Sequence, residues 1–495
     1  MKKILKLVAS VLFCSTVFAQ NETDVLRNST TDIFGSARFE AMAGSFGGLG
    51  ADFSVIQVNP ASLARFSSSR FTFALNNSFI TNKGSYNDMM ADASRNKLSV
   101  GAIGAVFTNE IRGGGSARRY GQITVGYTRL KNFNNTRKYE GQNFYSLLDV
   151  LAADGYGIDP NNIYDARPFT TGLAYDVFAV DYDASTEEYY SRLTAGDMYH
   201  EREILTDGGI GEFHIGYSEN YMNNFYYGAS IGIRNSKYIE SFNHSETLLD
   251  TLGTSLRYFD YFYDQKSRGL GVNIKLGIVY LPIEEVRLGL SFESPTVFRM
   301  KDEWSNNMNA MHDDGMKFIA PEFIPEGKYE YRLKTPMKLR GSFAYVFGMR
   351  GAVNVDLEMA RLPGGKLRPA VSSLDDGFGD TYGFEVENGE VKNQFRTVLN
   401  TRIGVEYMLV DDFFLRGGIA ILPQPYKKSI GNINIPNMTY SVGLGWENHI
   451  FQIDLSYRLL KMTEDYYAFD PSKIENRTNF KTNMNSIVLT AGLKF

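Results

Sequence analysis

The sequence predicts an all-β fold, a transmembrane antiparallel β-barrel of about 14 strands with an N-terminal hatch (plug) in the lumen. Three observations support this prediction. Alternation of apolar and polar residues recurs through most of the chain, the last strand ends on an aromatic residue, and a stretch rich in small residues precedes the first strand. Alternation with period two puts apolar side chains on one face of a strand and polar side chains on the other.

The N-terminus has the organisation of a secretory signal peptide. Residues 7–18 form an apolar run, which is shorter than the roughly 20 residues that a membrane-spanning helix needs. The residues before position 20 fit cleavage after Ala19, so we predict a signal peptide over 1–19. Phe13 is bulkier than the small residue that lipid attachment to Cys14 expects, so the single cysteine leaves with the signal. The positive charges of the signal are Lys2, Lys3 and Lys6.

The composition of the mature chain excludes several classes of protein. Cleavage removes 19 of the 495 residues and leaves 476 without cysteine, so disulfides cannot stabilise the fold. The loss of three lysines changes the formal net charge from −5 to −8, which disfavours a nucleic-acid partner because phosphate binding needs a basic surface. The mean hydropathy of −0.25 suits a membrane barrel, because its apolar residues alternate with polar ones.

The barrel is assigned to residues 69–495, in which about fourteen stretches have the alternation and the length of roughly ten residues that a tilted membrane strand needs. Charged residues recur on the second face of several stretches, and a wet or plugged lumen tolerates such charges better than a sandwich core does. From the fourth strand onward short turns alternate with long polar loops, so the short turns and both termini are predicted to be periplasmic. The predicted strands are 70–80, 97–107, 120–131, 208–219, 224–239, 268–281, 285–298, 328–347, 351–361, 396–408, 412–420, 438–447, 450–461 and 486–495.

The longest predicted connection is 132–207, between the third and fourth strands, and a loop of that length is expected to be functional or disordered. Four apolar residues in it are spaced at i, i+3, i+4 and i+7, which predicts a short amphipathic helix. Its apolar face is a candidate ligand contact at an outer entrance, and packing against its own loop is the alternative. The four residues are Phe144, Leu147, Leu148 and Leu151.

Residues 20–68 precede the first strand and do not alternate, and we assign them to a hatch. Within them, 35–52 is rich in glycine, alanine and serine, whose small size allows close backbone packing in a confined space. Asn59, Pro60 and Ala61 follow, and the proline disfavours a helical backbone at the residue before it. The composition and the fixed bend predict a compact plug.

The hatch resembles that of the FadL-type family of outer-membrane transporters for long-chain fatty acids and other hydrophobic compounds. Members of that family are fourteen-stranded barrels whose hatch carries an Asn-Pro-Ala motif, matched here by Asn59, Pro60 and Ala61. The Gly/Ala-rich segment that ends at Asp52, seven residues before Asn59, is also similar to the family's hatch. The resemblance implies passive transport of a hydrophobic ligand, which enters from outside and is released as the hatch rearranges.

In that family the ligand is thought to leave sideways, through a gap in the wall beside a kinked strand. Gly121 and Gly126 in the predicted third strand permit such a kink. Arg38 and Arg65 in the hatch are plausible partners for carboxylates on the inward faces of the ninth and thirteenth strands, or for the head group of a ligand. The charged residues on those inward faces are Asp356, Glu358, Asp454 and Arg458.

No enzyme motif occurs in the sequence, and we expect neither catalytic activity nor a cofactor. Residues 47–52 fit a calcium-binding Gly-Gly-x-Gly-x-Asp repeat once, whereas such sites need tandem copies. No metal site is predicted, because the histidines lack metal-ligand spacing, and His214 is the candidate base of an alternative lipase. The non-enzymatic alternatives are a structural or adhesive barrel without transport and a haem-binding barrel. The histidines are His200, His214, His244, His312 and His449.

These inferences place the mature protein in the outer membrane of a Gram-negative bacterium. The expected partners are a hydrophobic small-molecule ligand, outer-membrane lipid and the barrel-assembly machinery. The last strand, 486–495, resembles the closing strand and assembly signal of outer-membrane barrels. Its terminal residue, Phe495, is expected to face lipid at the periplasmic rim, while the strand pairs with the first strand near 70–80 and removes the last edge of the sheet.

Replacing Pro60 by alanine should loosen the hatch, because the proline ring restricts the backbone by an amount worth about 0.4–1 kcal/mol. The barrel should stay folded, since the change removes a local constraint and leaves every strand intact. Uptake of a hydrophobic probe by cells that produce the variant should therefore change while the heat-modifiable barrel remains. Wild-type uptake of every apolar compound tested would contradict gating by the hatch.

Overall fold

A computed structural model describes residues 21–111, 118–193, 197–249, 256–320, 326–348, 350–370, 382–427, 435–469 and 476–495. The predicted signal peptide, 1–19, and its Cys14 lie outside these residues. The boundaries assigned to the signal, the hatch and the barrel therefore stay predictions.

Long antiparallel strands make up most of the described chain. Among the described residues, no helix has both the length and the apolar character needed to cross a bilayer. The helices are α1 (Glu22–Ser29), α2 (Ala37–Ala41), α3 (Leu147–Asp154), α4 (Ile163–Ala166), α5 (Thr171–Asp176) and α6 (Glu385–Gln394), with 3-10 helices at Phe53–Gln57, Pro60–Arg65, Pro160–Asn162 and Leu362–Gly364. The strands are β1 (Arg70–Tyr86), β2 (Met89–Glu110), β3 (Arg118–Asn132), β4 (Asn135–Asn143), β5 (Val180–Asp183), β6 (Glu188–Ser191), β7 (Met198–Tyr221), β8 (Phe225–Leu248), β9 (Leu256–Tyr280), β10 (Val286–Glu293), β11 (Val297–His312), β12 (Lys317–Ala320), β13 (Glu326–Lys334), β14 (Lys338–Phe347), β15 (Gly351–Arg361), β16 (Lys366–Pro369), β17 (Thr397–Val410), β18 (Phe413–Leu422), β19 (Asn437–Glu447), β20 (Phe451–Tyr467) and β21 (Arg477–Lys494).

The main sheet closes on itself. β1 pairs with β2 on one side and with β21 on the other, in a register that opposes Arg70 to Lys494. Each wall strand is antiparallel to the next in the order β1, β2, β3, β7, β8, β9, β10, β14, β15, β17, β18, β19, β20 and β21. The ring therefore contains fourteen strands, which confirms the predicted fold class and strand count.

The two faces of the wall differ in chemistry. Outward positions carry exposed apolar side chains, such as Ile231 and Ile233 on β8 and Leu444 on β19. The outward face of β8 becomes polar at Asn235 and Lys237, so the strand continues beyond this apolar belt toward the long loops. Inward positions are mostly buried polar residues or small residues. A belt of this kind is what a lipid-facing barrel wall presents.

Several strands differ from their predicted boundaries. The fourth predicted strand, 208–219, is the 24-residue β7, because pairing with β8 continues past the apolar belt, where alternation no longer marks the strand. The predicted strand 285–298 is interrupted at Pro295 between β10 and β11, and 328–347 is interrupted at Pro336 between β13 and β14. Proline has no N–H for a ladder bond, which explains both breaks.

The connection predicted at 132–207 contains much secondary structure, including β4 and the first part of β7. We call residues 144–193 the lid. Helix α3 begins at Leu147 because the Ser146 side chain caps it, accepting a hydrogen bond from the Leu148 N–H at 3.0 Å. Phe144 lies before the helix and is 67% exposed, so the prediction that it belongs to the apolar face of this helix was wrong.

The lumen is closed at both ends by other parts of the chain. We call residues 21–68 the plug. Residues 33–68 lie against the half of the wall that carries the short turns, whereas α1 contacts wall residues farther toward the long loops, such as Ser236 and Tyr238 of β8. At the long-loop end, the leucines of α3 pack in one cluster with Phe259 and Tyr261 of β9 and Met308 of β11. Both ends of the barrel are therefore occupied.

Deletion of Phe495 should reduce assembly of the barrel into the outer membrane. Its ring is 62% exposed and lies 6.3 Å from Phe107, and its N–H donates to Ser69 O at 3.1 Å, so it completes the seam between β21 and β1. The amount of heat-modifiable barrel in isolated outer membranes measures this. Phe495→Tyr, which keeps an aromatic terminus, is the matched control, and normal levels of the deletion variant would contradict the role assigned to this residue.

Candidate functional site

The plug contacts the inward face of every one of the fourteen wall strands. The contacts are hydrogen bonds, ion pairs, ring contacts and close approaches of the plug to wall glycines. Because the plug contacts all fourteen strands of the ring, it fills the lumen at this level. In strand order the wall residues are Asn76, Gly104, Gln122, His214, Gly228, Gly277, Ser291, Ser342, Asp356, Glu406, Gly418, Gly443, Arg458 and Thr490.

The Asn-Pro-Ala motif begins the 3-10 helix Pro60–Arg65. The Asn59 side chain caps it by accepting the Ala61 N–H at 3.1 Å, and Pro60 occupies the first helical position, where its missing N–H costs nothing. The Asn59 amide also donates to Gly47 O at 3.0 Å, inside the plug, and to Ile278 O of β9 at 3.3 Å. One side chain thus ties the plug to itself and to the wall.

The small-residue segment lies directly against β14 and β15. The N–H groups of Phe46 and Gly47 donate to Asp356 Oδ2 at 2.8 and 3.1 Å. An alanine methyl at Gly47 would lie 2.1 Å from Ser342 Oγ, which explains the absence of a side chain there. Asp52 caps the 3-10 helix Phe53–Gln57 and accepts from Ser36 Oγ, so its carboxylate is engaged within the plug.

Two ion pairs hold the plug to the wall. Arg458 Nε lies 2.9 Å from Glu40 Oε2, and both side chains are fully buried. Arg38 forms a bidentate pair with Glu406, at 2.7 and 2.8 Å. Removing one partner of such a pair leaves an uncompensated buried charge, so each pair constrains the plug strongly.

The predicted plug anchors are partly right. Asp356 and Arg458 do contact the plug, but Arg38 pairs with Glu406, which the sequence analysis did not single out. Arg65 donates to Tyr226 OH at 2.7 Å and meets none of the predicted carboxylates. The other two predicted anchors, Glu358 and Asp454, pair with arginines of the wall: Arg340 and Arg416, respectively.

A belt of paired charges crosses the inner wall beside the plug. Arg234 joins Glu212 and Glu293, at 2.7 Å each, and Arg340 joins Glu293 to Glu358. Glu212 at the β7 end of the belt also pairs with Lys275 of β9, and Arg402 lies 3.6 Å from Glu358 at the β17 end. Each charge has a partner of opposite sign, which buried charges require.

The outer surface of the wall has an apolar hollow of about 670 Å³. It spans β1, β2, β3, β7 and β8, and the side chains that rim it are almost entirely aliphatic and aromatic. Most of these side chains belong to the exposed apolar belt. The lining residues are Phe71, Ile103, Gly104, Ala105, Val125, Gly126, Tyr127, Phe213, His214, Ile215, Ile231 and Ile233.

Two glycines thin the wall at this hollow. Gly104 of β2 is the cross-strand partner of Gly126 of β3, so no inward side chain fills the space between the strands and the plug. The Phe53 ring of the plug fills it, and methyl groups at Gly104 and Gly126 would lie 2.1 and 2.5 Å from that ring. The Phe53 ring also packs on His214, with centroids 5.4 Å apart. At these two glycines only the backbone separates the hollow from the Phe53 ring of the plug.

The glycines predicted to permit a kink differ in their surroundings. Gly126 lies at the hollow, whereas a methyl group at Gly121 would lie 3.2 Å from Tyr217 OH. β3 pairs with β2 only from Tyr120 to Thr128, and its pairing with β7 is irregular at Arg129 and Lys131. The pairing of β1 with β2 is also irregular near the hollow, at Ala74 and Leu75, so regular pairing is interrupted on both sides of β2 and β3.

The wall strands β7 and β8 carry, beside the lid, a cluster that the spacing of histidines along the chain did not reveal. His200 of β7 and Glu246 of β8 are direct cross-strand partners, and His244 lies two residues before Glu246 on the same inward face. Burial lowers the pKa of His200 to about 3 and that of His244 well below its usual value, so both rings are neutral at pH 7. The sequence signal for this cluster was His244 and Glu246, two residues apart on one strand. The third member, His200, lies 44 residues before His244 in the chain.

The chain is similar in fold to solved transport proteins. A FadL homologue from Pseudomonas aeruginosa aligns with a TM-score of 0.54 and 12% identity over 94% of this chain and 99% of that chain. The toluene transporter TodX of Pseudomonas putida aligns with a TM-score of 0.52 and 13% identity over 94% of this chain and 100% of that chain. Comparisons with protein-family models and with curated proteins find no match. At these identities the likeness shows the fold alone.

Gly277→Ala should loosen the plug without disturbing the wall. The new methyl group would lie 1.9 Å from Asn59 Oδ1, so the motif must move, at a cost of about 1–3 kcal/mol for an overpacked site. Planar bilayers containing the purified variant should show higher ion conductance, and the plug should become more sensitive to protease.

Gly341→Ala is the matched control, because it adds a methyl group to a wall strand at a position with no heavy atom within 4 Å. Its conductance and protease sensitivity should equal those of the wild type. Equal conductance in both variants would show that Asn59 does not hold the plug.

Proposed function

We propose that this protein is a FadL-type outer-membrane channel that passes hydrophobic small molecules, fatty acids or hydrocarbons, by passive diffusion through a plug-gated barrel. The observation that carries the proposal is the apolar hollow, floored by Gly104 and Gly126 and backed by Phe53. The fold shared with the toluene transporter and the FadL homologue supports it, as does the Asn-Pro-Ala motif at 59–61.

The chemistry of the hollow suits an apolar ligand. Its rim offers no charged side chain, and each methylene group that leaves water for such a surface gains about 0.8 kcal/mol. The hollow opens on the apolar belt of the barrel, so a ligand that crosses the wall there enters lipid without passing through periplasmic water. The proposed exit is therefore sideways, between β2 and β3.

The plug is suited to act as the gate. It is attached to the wall by polar contacts of Glu40, Arg38 and the N–H groups of Phe46 and Gly47, and by apolar packing on small wall residues. Water can replace the polar contacts when a segment moves, whereas the apolar contacts oppose a large displacement, so the movement that we propose is a local one. The step that opens the exit is the withdrawal of the Phe53 ring from the two wall glycines.

Entry from outside requires movement of the lid. Leu147, Leu148 and Leu151, proposed from the sequence as ligand contacts, are buried in the cluster that joins α3 to the wall. They therefore act as the seal of the closed state, and a ligand reaches them only when the lid lifts. The apolar belt and the closed ring support a location in an outer membrane, where lipid and the assembly machinery are the expected partners.

Phe53→Ala should accelerate the passage of apolar compounds. The variant removes the ring that fills the space behind Gly104 and Gly126, at a cost of about 3–5 kcal/mol for a buried phenylalanine. Uptake of radiolabelled toluene and of a radiolabelled long-chain fatty acid by cells measures the effect and separates the two ligand classes. Ion conductance should rise little, because the opening faces lipid.

Phe39→Ala is the matched control, since it removes a buried plug ring that packs on Phe46 at 6.0 Å, away from the hollow. Val125→Trp, which fills the hollow from the outer face, should slow uptake, whereas Leu444→Trp on the opposite part of the belt should not. Uptake that is equal in all four variants and the wild type would favour a structural or adhesive barrel.

A further inference from the structure

We propose that His200, His244 and Glu246 form a binding site for a divalent transition-metal ion, with zinc as the best fit, which fastens the lid to the barrel wall. The site lies in the long-loop half of the barrel, on β7 and β8 beyond the apolar belt. The site lies away from the hollow at the proposed exit, and metal binding there does not depend on the proposed transport function.

Strand geometry brings the three side chains together. Alternate residues of a strand share one face, which places His244 and Glu246 side by side, and His200 opposes Glu246 across the strand pair. His244 Nε2 lies 2.8 Å from Glu246 Oε1, and His200 Nε2 lies 3.8 Å from the same oxygen. All three candidate ligand atoms lie within 4.8 Å of one another.

These distances bracket those of a tetrahedral zinc site. Zinc binds imidazole nitrogen and carboxylate oxygen at roughly 2.0–2.2 Å, so its ligand atoms are about 3.4 Å apart. Shifts of well under 1 Å per atom would bring the two His–Glu separations, 2.8 and 3.8 Å, to that value. Two imidazoles and one carboxylate are the ligand set of several zinc sites, whereas magnesium and calcium prefer oxygen ligands.

The hydrogen bonding of the cluster is incomplete without a further partner. His200 Nε2 is fully buried, points into the cluster and has no hydrogen-bond partner among the described residues. His244 Nδ1 also lacks one. A buried ring nitrogen without a partner costs free energy, and metal coordination satisfies the first of these atoms directly.

The surroundings would orient the ligands. Tyr86 OH lies 3.4 Å from His200 Nδ1, on the side of the ring that faces away from the cluster. Such contacts fix the orientation of metal-bound histidines. The nearest strong positive charge is that of Arg202, whose guanidinium donates to Tyr466 OH and Ala468 O at 2.9 and 3.0 Å. The negative charge of the Glu246 carboxylate offsets the repulsion between Arg202 and a bound cation.

Metal binding at this place would act on the lid. Glu246 Oε1 accepts the Leu147 N–H at 2.7 Å, and Glu246 Oε2 accepts from Ser146 Oγ at 2.5 Å. The same carboxylate therefore holds the start of α3. A metal ion that immobilises Glu246 on the wall also immobilises the first turn of the lid helix.

The test is zinc binding by the untagged full-length protein, purified in detergent and stripped with a chelator. Equilibrium dialysis with elemental analysis should give one zinc per chain, and magnesium or calcium should not bind. His200→Ala should weaken zinc binding by at least about 100-fold, since loss of outer-shell partners alone costs 10- to 100-fold. His214→Ala is the matched control, a buried histidine of β7 outside the cluster, and should bind zinc as the wild type does.

A second variant and a second measurement make the result decisive. Glu246→Gln keeps an oxygen for the Leu147 N–H but removes the charge, and should also weaken binding. Cobalt(II) in the wild type should give the intense visible absorption of a tetrahedral site, which the variants lose. Heat modifiability confirms that each variant is folded. Absence of zinc binding by the wild type, or an equal loss in His214→Ala, would overturn the proposal.

Discussion

The pairing of β1 with β21 is the constraint on which the rest of the structure depends. A ring of fourteen strands fixes the circumference of the barrel, and a ring of that size is too wide for its own inward side chains to fill. The ring cannot separate along the full length of a strand pair in a bilayer, because two edge strands would leave N–H and C=O groups without partners. Other parts of the chain must therefore occupy the lumen, and the plug and the lid do so from opposite ends.

A lumen filled with protein buries charged side chains, and each of them needs a partner of opposite sign. The positions of the charged residues on the wall strands provide these partners. The belt runs from Glu212 to Arg402 across neighbouring strands, and each of its charges has a partner of opposite sign. The plug joins the same scheme through Glu40 and Arg38, each facing a wall residue of opposite sign. Because these pairs are buried, their positions are well determined, and the plug has one way to fit.

The sequence predicted the parts of this structure that depend on local pattern. Alternation identified all fourteen wall strands, because the apolar belt imposes period two on each of them independently. It missed the polar extension of β7, the breaks at Pro295 and Pro336, and the exposure of Phe144, since these follow from pairing and packing beyond the belt. The sequence also did not predict which residues pair across the lumen. Arg38 of the plug meets Glu406, 368 residues away, only because closure of the ring places β17 beside the plug.

Because the lid and the plug close both ends of the lumen, we locate the exit route for the ligand in the wall. The lid seals the long-loop end with an apolar cluster, and the plug contacts all fourteen wall strands through polar groups and apolar packing. At the hollow, the barrier between lumen and surroundings is thin at the pair Gly104 and Gly126, where the Phe53 ring of the plug lies directly behind the backbone. An opening there would face lipid, so it could admit apolar molecules while the rest of the plug still fills the lumen. A gate made of one phenylalanine needs a movement of that ring alone, so the barrel and the other contacts of the plug stay in place.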